Sequence, residues 1–101
     1  MADRQDDRIA IQNVVSPDHV QRVSRAKYMA MKQALLAVLP AAPPGMTPSD
    51  AKAALLPHLS ATAFPGGEKA GWWLKAVQLD LEAKGEIRRI EKPVRLYKAA
   101  R

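Results

Sequence analysis

The stretch from Ala70 to Gly85, AGWWLKAVQLDLEAKG, constrains the fold most, because wound as a helix it is apolar on two sides. At 100° per residue, Ala70, Trp73, Leu74, Val77 and Leu81 fall within about a third of a turn and form one face. Trp72, Ala76, Leu79 and Ala83 form a second stripe almost opposite. Lys75, Gln78 and Glu82 occupy one flank between the stripes, and Lys69, Asp80 and Lys84 the other. An ordinary surface helix buries one stripe, so this one needs a core beneath it and a second cover from the same chain or from a partner. The helix is expected to start near Glu68 behind Gly67 and to end at Lys84, with Gly85 in the left-handed conformation that closes a helix.

At 101 residues the chain has room for a single domain with one small core. Residues 1–8 are expected to be a mobile N-terminus, 9–24 a β-hairpin, and 25–101 the body of the domain. IAIQNVV and VQRVS are β-branched and alternate in character, and SPDH between them suits a tight turn. In RAKYMAMKQALLAVL, Tyr28, Met31, Leu35, Val38 and Leu39 keep helical spacing, with Ser24 as cap and Pro40 as stop. PAAPPG then forms a stiff connection. Thr47, Pro48 and Asp50 mark the start of a second helix, cap, first position and carboxylate, which Pro57 ends near Leu56. After the third helix, EIRRI and VRLYK read as a second hairpin. The expected core is Tyr28, Met31, Leu35, Leu39, Leu55, Trp73, Leu74, Val77, Leu81, Ile87 and Leu96.

Three helices followed by a hairpin, with Leu81, Glu82, Gly85, Ile87 and Arg89 in the pattern L-E-x-x-G-x-I-x-R, resemble the winged-helix fold. MTPSDAKAALL is similar to the capped second helix of that fold. The resemblance runs over about residues 25–98 and implies an α+β winged-helix domain, three helices plus a C-terminal β-hairpin wing, carrying an additional N-terminal β-hairpin. The wording PPGMT, AFPGG, KAGWW and VQLDLEAKG also resembles a small group of uncharacterised bacterial proteins, across nearly the whole chain. That resemblance supports the fold and implies no catalytic residue.

The glycine cluster GGEKAGWW lacks the GK[ST] of a phosphate loop and follows an apolar helix rather than a strand, so no nucleotide cofactor is expected. The chain has no cysteine, which excludes disulfides and thiolate metal sites. His19 and His58 stand apart from any carboxylate at ligand spacing, so no metal is expected. Asp80 and Glu82 point to different sides of their helix, and Ser16, Ser24, Ser49 and Ser60 are turn or cap residues with no base beside them. The expectation is a protein that is not an enzyme. The highly charged start MADRQDDRIAIQ is unlike a signal peptide, and no apolar run approaches the ~20 residues of a membrane helix, so a cytoplasmic protein is expected.

Of the net charge of +6, most lies from Lys84 to Arg101, where seven basic residues face two acidic ones. Arg88, Arg89, Lys92, Arg95 and Lys98 on the wing are expected to contact the phosphates of double-stranded DNA, with Lys75 and Gln78 of the third helix nearby. The outer stripe Trp72, Ala76, Leu79 and Ala83 reads bases poorly, because arginine, lysine, asparagine and glutamine do that work. It supports the alternative, a protein-interaction or dimerisation module, unless the N-terminal hairpin covers it.

Overall fold

The first two helices begin on hydroxyl caps, and the third ends on a glycine. The computed structural model describes residues 8–13, 15, 16, 18, 20–91 and 93–99. Strands β1 (Arg8–Ile11) and β2 (Gln21–Ser24) are followed by helices α1 (Arg25–Val38), α2 (Pro48–Leu55) and α3 (Ala70–Ala83), then by strands β3 (Ile87–Ile90) and β4 (Arg95–Lys98). Short 3₁₀ turns occupy Leu56–His58 and Pro65–Gly67. Three helices between two antiparallel hairpins make an α+β, winged-helix-like arrangement.

The Ser24 hydroxyl accepts from the Lys27 amide and the Thr47 hydroxyl from the Asp50 amide, so each satisfies a donor that its helix leaves unpaired. Pro48 sits at the start of α2, where its missing N–H costs nothing, and Pro57 reduces the helix to a 3₁₀ turn. At the end of α3 the Gly85 amide donates to Glu82 and the Glu86 amide to Leu81, with Gly85 at φ 79°. This is the paired closure that a left-handed residue allows.

Two expectations shift. Arg8, expected in the mobile N-terminus, pairs with Ser24 in β1; residues 1–7 lie outside the described chain. The connection between β1 and β2 opens on Asn13, whose side-chain oxygen accepts from the Val15 and Ser16 amides, and Asp18 of the expected SPDH turn does lie in a turn. Pro17 and His19 lie outside the described residues. Helix α3 starts at Ala70 rather than Glu68, and the residue before it is Lys69, left-handed at φ 61°, while Gly67 belongs to the preceding 3₁₀ turn.

All eleven expected core residues are buried. Ile11, Val23, Ala34, Ala51, Ala70 and Phe64 join the same cluster. Phe64 stands edge-on to Trp73, with centroids 6.1 Å apart, and the Lys27 ammonium lies 4.9 Å over its ring while donating to the Ala63 carbonyl. The wing is tied to the body by its second strand: Met46, just before α2, exchanges both backbone hydrogen bonds with Leu96, at 2.9 and 2.8 Å.

Candidate functional site

Both sides of α3 are covered, and the cover decides which residues can act. The core face packs on α1 and α2. On the outer stripe, Leu79 is only 7 % exposed and Ala76 is half-buried, while Trp72 remains 50 % exposed and Ala83 is exposed. The cover is the N-terminal hairpin. Ile11 and Gln12 lie over the middle of the stripe, and between hairpin and helix remains a cleft of about 270 Å³ with Ala76 and Leu79 in its lining and Trp72, Gln12 and Gln21 around them. Trp72 and Ala83, the two stripe residues left exposed, are eleven positions apart, about 16 Å along the helix. The stripe is therefore no continuous contact surface. Trp72 keeps an open apolar side, its ring edge-on to Trp73 at 5.1 Å.

On the other flank, α3, the start of α2 and the wing enclose a second hollow of about 480 Å³, lined by Lys52, Leu74, Lys75, Gln78, Arg89 and Val94 among others. Lys75, Gln78 and Arg89, expected to act together, do meet here. Lys52 joins them, and helical spacing within α2 alone did not mark it. Gln78 is 6 % exposed and donates to Glu82 at 2.8 Å. Arg89 binds the same carboxylate with two nitrogens, at 2.8 and 3.1 Å, and reaches Glu91 at 3.2 Å. The hydrogen bond to Glu82 raises the Arg89 pKa above its ordinary value, against the opposing effect of partial burial. Its charge is thus largely answered within the protein. Lys52 and Lys75 have no ion pair or side-chain hydrogen bond among the described residues.

The other wing cations do not share this hollow. Arg88 and Arg95 alternate with Arg89 and Leu96 along paired strands, so they point from the opposite face of the wing. Lys98 pairs with Ile87 at the far end of the hairpin, where its amide donates to Pro40. Lys92 lies outside the described residues. The expected basic patch therefore divides into a groove and an outer face.

One polar cluster escaped the sequence reading. Asp80 is fully buried and accepts hydrogen bonds from the Gln12 amide at 2.8 Å, the Lys84 ammonium at 2.9 Å and the Tyr28 hydroxyl. Burial, together with the carboxylate of Asp80, pushes the Tyr28 pKa far above its ordinary value. Both carboxylate oxygens of Asp80 are occupied, and the cluster joins the residue after β1 to α1 and α3. Among the described residues no group of three His, Asp or Glu side chains is placed to hold a metal. None of their helices is long and apolar enough to cross a membrane.

Residues 8–96 match the model of a family described as a family of unknown function, DUF6958. No curated protein and no solved structure matches the chain.

Proposed function

This chain belongs to the family of unknown function DUF6958, and from its geometry we propose that it is a non-catalytic, cytoplasmic, DNA-associated protein that grips the phosphate backbone of a duplex without reading its sequence. The observation that carries this reading is the groove between α2, α3 and the wing, where Lys52 and Lys75 stand without a carboxylate partner. Arg89, fixed by Glu82, shapes the groove, and Arg88 and Arg95 add charge on the outer face of the wing. Unanswered cations give affinity through phosphates, whereas base reading needs donors and acceptors projecting from a groove-filling helix. Gln78, the amide side chain in the groove lining, is spent on Glu82.

The test is duplex affinity followed by anisotropy of a labelled oligonucleotide from about 50 to 300 mM salt. The logarithm of the affinity is expected to fall linearly with that of salt, with a slope of about −0.9 per phosphate neutralised. Reversing Lys52 and Lys75 together to glutamate should weaken binding more than tenfold, while Arg88→Glu with Arg95→Glu tests the outer face. No binding at the lowest salt, or binding indifferent to salt, overturns the reading.

A second reading, a protein-interaction module, rests on Trp72, which is half exposed beside an apolar cleft. It requires self-association or partner capture that Trp72→Ala removes and that salt does not.

A further inference from the structure

The cleft under the hairpin and the basic groove are separated by a ridge of α3 to which both hollows reach, at Gly71 and Lys75. Gly71 is the one glycine of five without a positive φ. It occupies the second position of α3 and is exposed, where its backbone could carry any side chain and where glycine is among the poorest helix formers. No backbone requirement accounts for it. What glycine supplies there is a low ridge. A Cβ at this position would stand 3.4 Å from the Lys52 Nζ, so that ammonium lies over the ridge, and Lys75 follows one helical turn later on the same side. Just across the ridge is Trp72, its indole half exposed, with the amide side chains of Gln12 and Gln21 at the cleft rim.

We propose that an unpaired nucleotide of a DNA strand straddles Gly71, its phosphate held by Lys52 and Lys75 and its base stacked on Trp72 in the cleft. The charge fits a phosphate, since neither lysine has an acidic partner in the described structure. At about 270 Å³ the cleft is smaller than the ~300 Å³ at which sites for drug-sized ligands begin, and suits one ring system. An aromatic side chain beside lysines is the combination that binds single strands with little sequence preference, because every base offers a π face. The proposal rests on the phosphate-binding reading above and adds to it a preference for unpaired bases.

The experiment compares three labelled ligands by anisotropy: a short oligothymidylate, the same strand with abasic sites, and a duplex of equal length. Oligothymidylate should bind at least fivefold more tightly than the abasic strand and should quench tryptophan fluorescence. Trp72→Ala should weaken oligothymidylate binding roughly 5- to 150-fold, the range expected for one lost stacking contact. Gly71→Leu, which raises the ridge at an exposed helical position, should do the same, and circular dichroism should show both variants folded. Duplex affinity should stay within about twofold in Trp72→Ala, whereas Lys52→Glu with Lys75→Glu should weaken every ligand. Equal affinity for thymidylate and abasic strands, or no effect of Trp72→Ala, overturns the proposal while leaving duplex binding intact. Failure of all three ligands to bind overturns the phosphate reading with it. Free thymidine monophosphate binding as tightly as the strand would also overturn it, by making the site one for a soluble nucleotide.

Discussion

Asp80 is the residue on which most depends. A carboxylate with no solvent exposure is tolerated only when its oxygens are occupied, and here a tyrosine hydroxyl, a backbone amide and an ammonium occupy them. Asp80→Ala strands the Tyr28 hydroxyl and the Gln12 amide and should cost about 3 kcal/mol in urea unfolding, whereas Asp80→Asn keeps an acceptor in place and should cost less. The pH dependence of the cluster has a definite sign. Because the folded protein raises the Tyr28 pKa, this group's contribution is fully present below pH ~10, the ordinary tyrosine value, and is lost as pH rises from there toward the higher folded value. Stability should therefore fall by up to about 1.4 kcal/mol per pH unit above pH ~10, and Tyr28→Phe should remove that share of the slope. Stability that changes equally in both proteins above this pH would show that the tyrosine proton is not held by the fold. None of this was legible in the sequence. Helical projection places Asp80 correctly on a flank with Lys84, but its other partners are 52 and 68 residues away, and local periodicity carries no information about such contacts.

At the scale of elements, the parts that could be read from sequence are those whose signals are local. Ser24, Thr47, Pro57 and Gly85 act within a turn of themselves, and each starts or stops a helix as its chemistry dictates. The start of α3 was misplaced for the complementary reason: Lys69 caps it by backbone conformation alone, with no side-chain hydrogen bond to betray it. The connection PAAPPG was legible as stiff, but not as the lead-in to a bridge onto the wing. Gly45, at φ 81°, brings Met46 against Leu96, and a Cβ there would lie 2.4 Å from the Leu96 carbonyl oxygen. Backbone strain and collision thus act together at this position. Gly45→Ala should destabilise the protein by about 2 kcal/mol or more and speed hydrogen exchange at the Met46 and Leu96 amides ahead of those in α1. An alanine variant as stable as the parent would mean that the Met46 bridge does not hold the wing.

Across the whole molecule, the two-sided hydrophobicity of α3 is resolved within one chain, and this changes what the outer stripe can do. The sequence showed that a second cover was required; it could not show which supplies it, because the N-terminal hairpin and a partner were both compatible with the same stripe. In the structure Ile11 at the end of β1 and Gln12 after it lie beside Leu79 across the cleft on α3, and Gln12 supplies a donor to Asp80. The charge balance is similarly transformed: seven basic residues near the C-terminus read as one patch, yet the structure directs Arg89 to Glu82 and turns Arg88 and Arg95 to another face. Removing the cover gives the last prediction. A chain beginning at Val20 would lose β1, uncover Leu79 and deprive Asp80 of the Gln12 amide. Burial of Leu79 and Ile11 contributes about 1.5–3 kcal/mol each, so the truncated domain should be several kcal/mol less stable. It should also self-associate at concentrations where the full chain does not, since a contiguous apolar stripe from Trp72 through Ala83 would now face solvent. Sedimentation velocity on both chains over a tenfold concentration range reads this directly. Leu79→Lys in the truncated chain should reverse the association, because a charge in the middle of the stripe cannot be buried against a second copy. Association that persists with Leu79→Lys would place the contact elsewhere, and a truncated chain that neither associates nor loses stability would show that the hairpin is not the cover α3 requires.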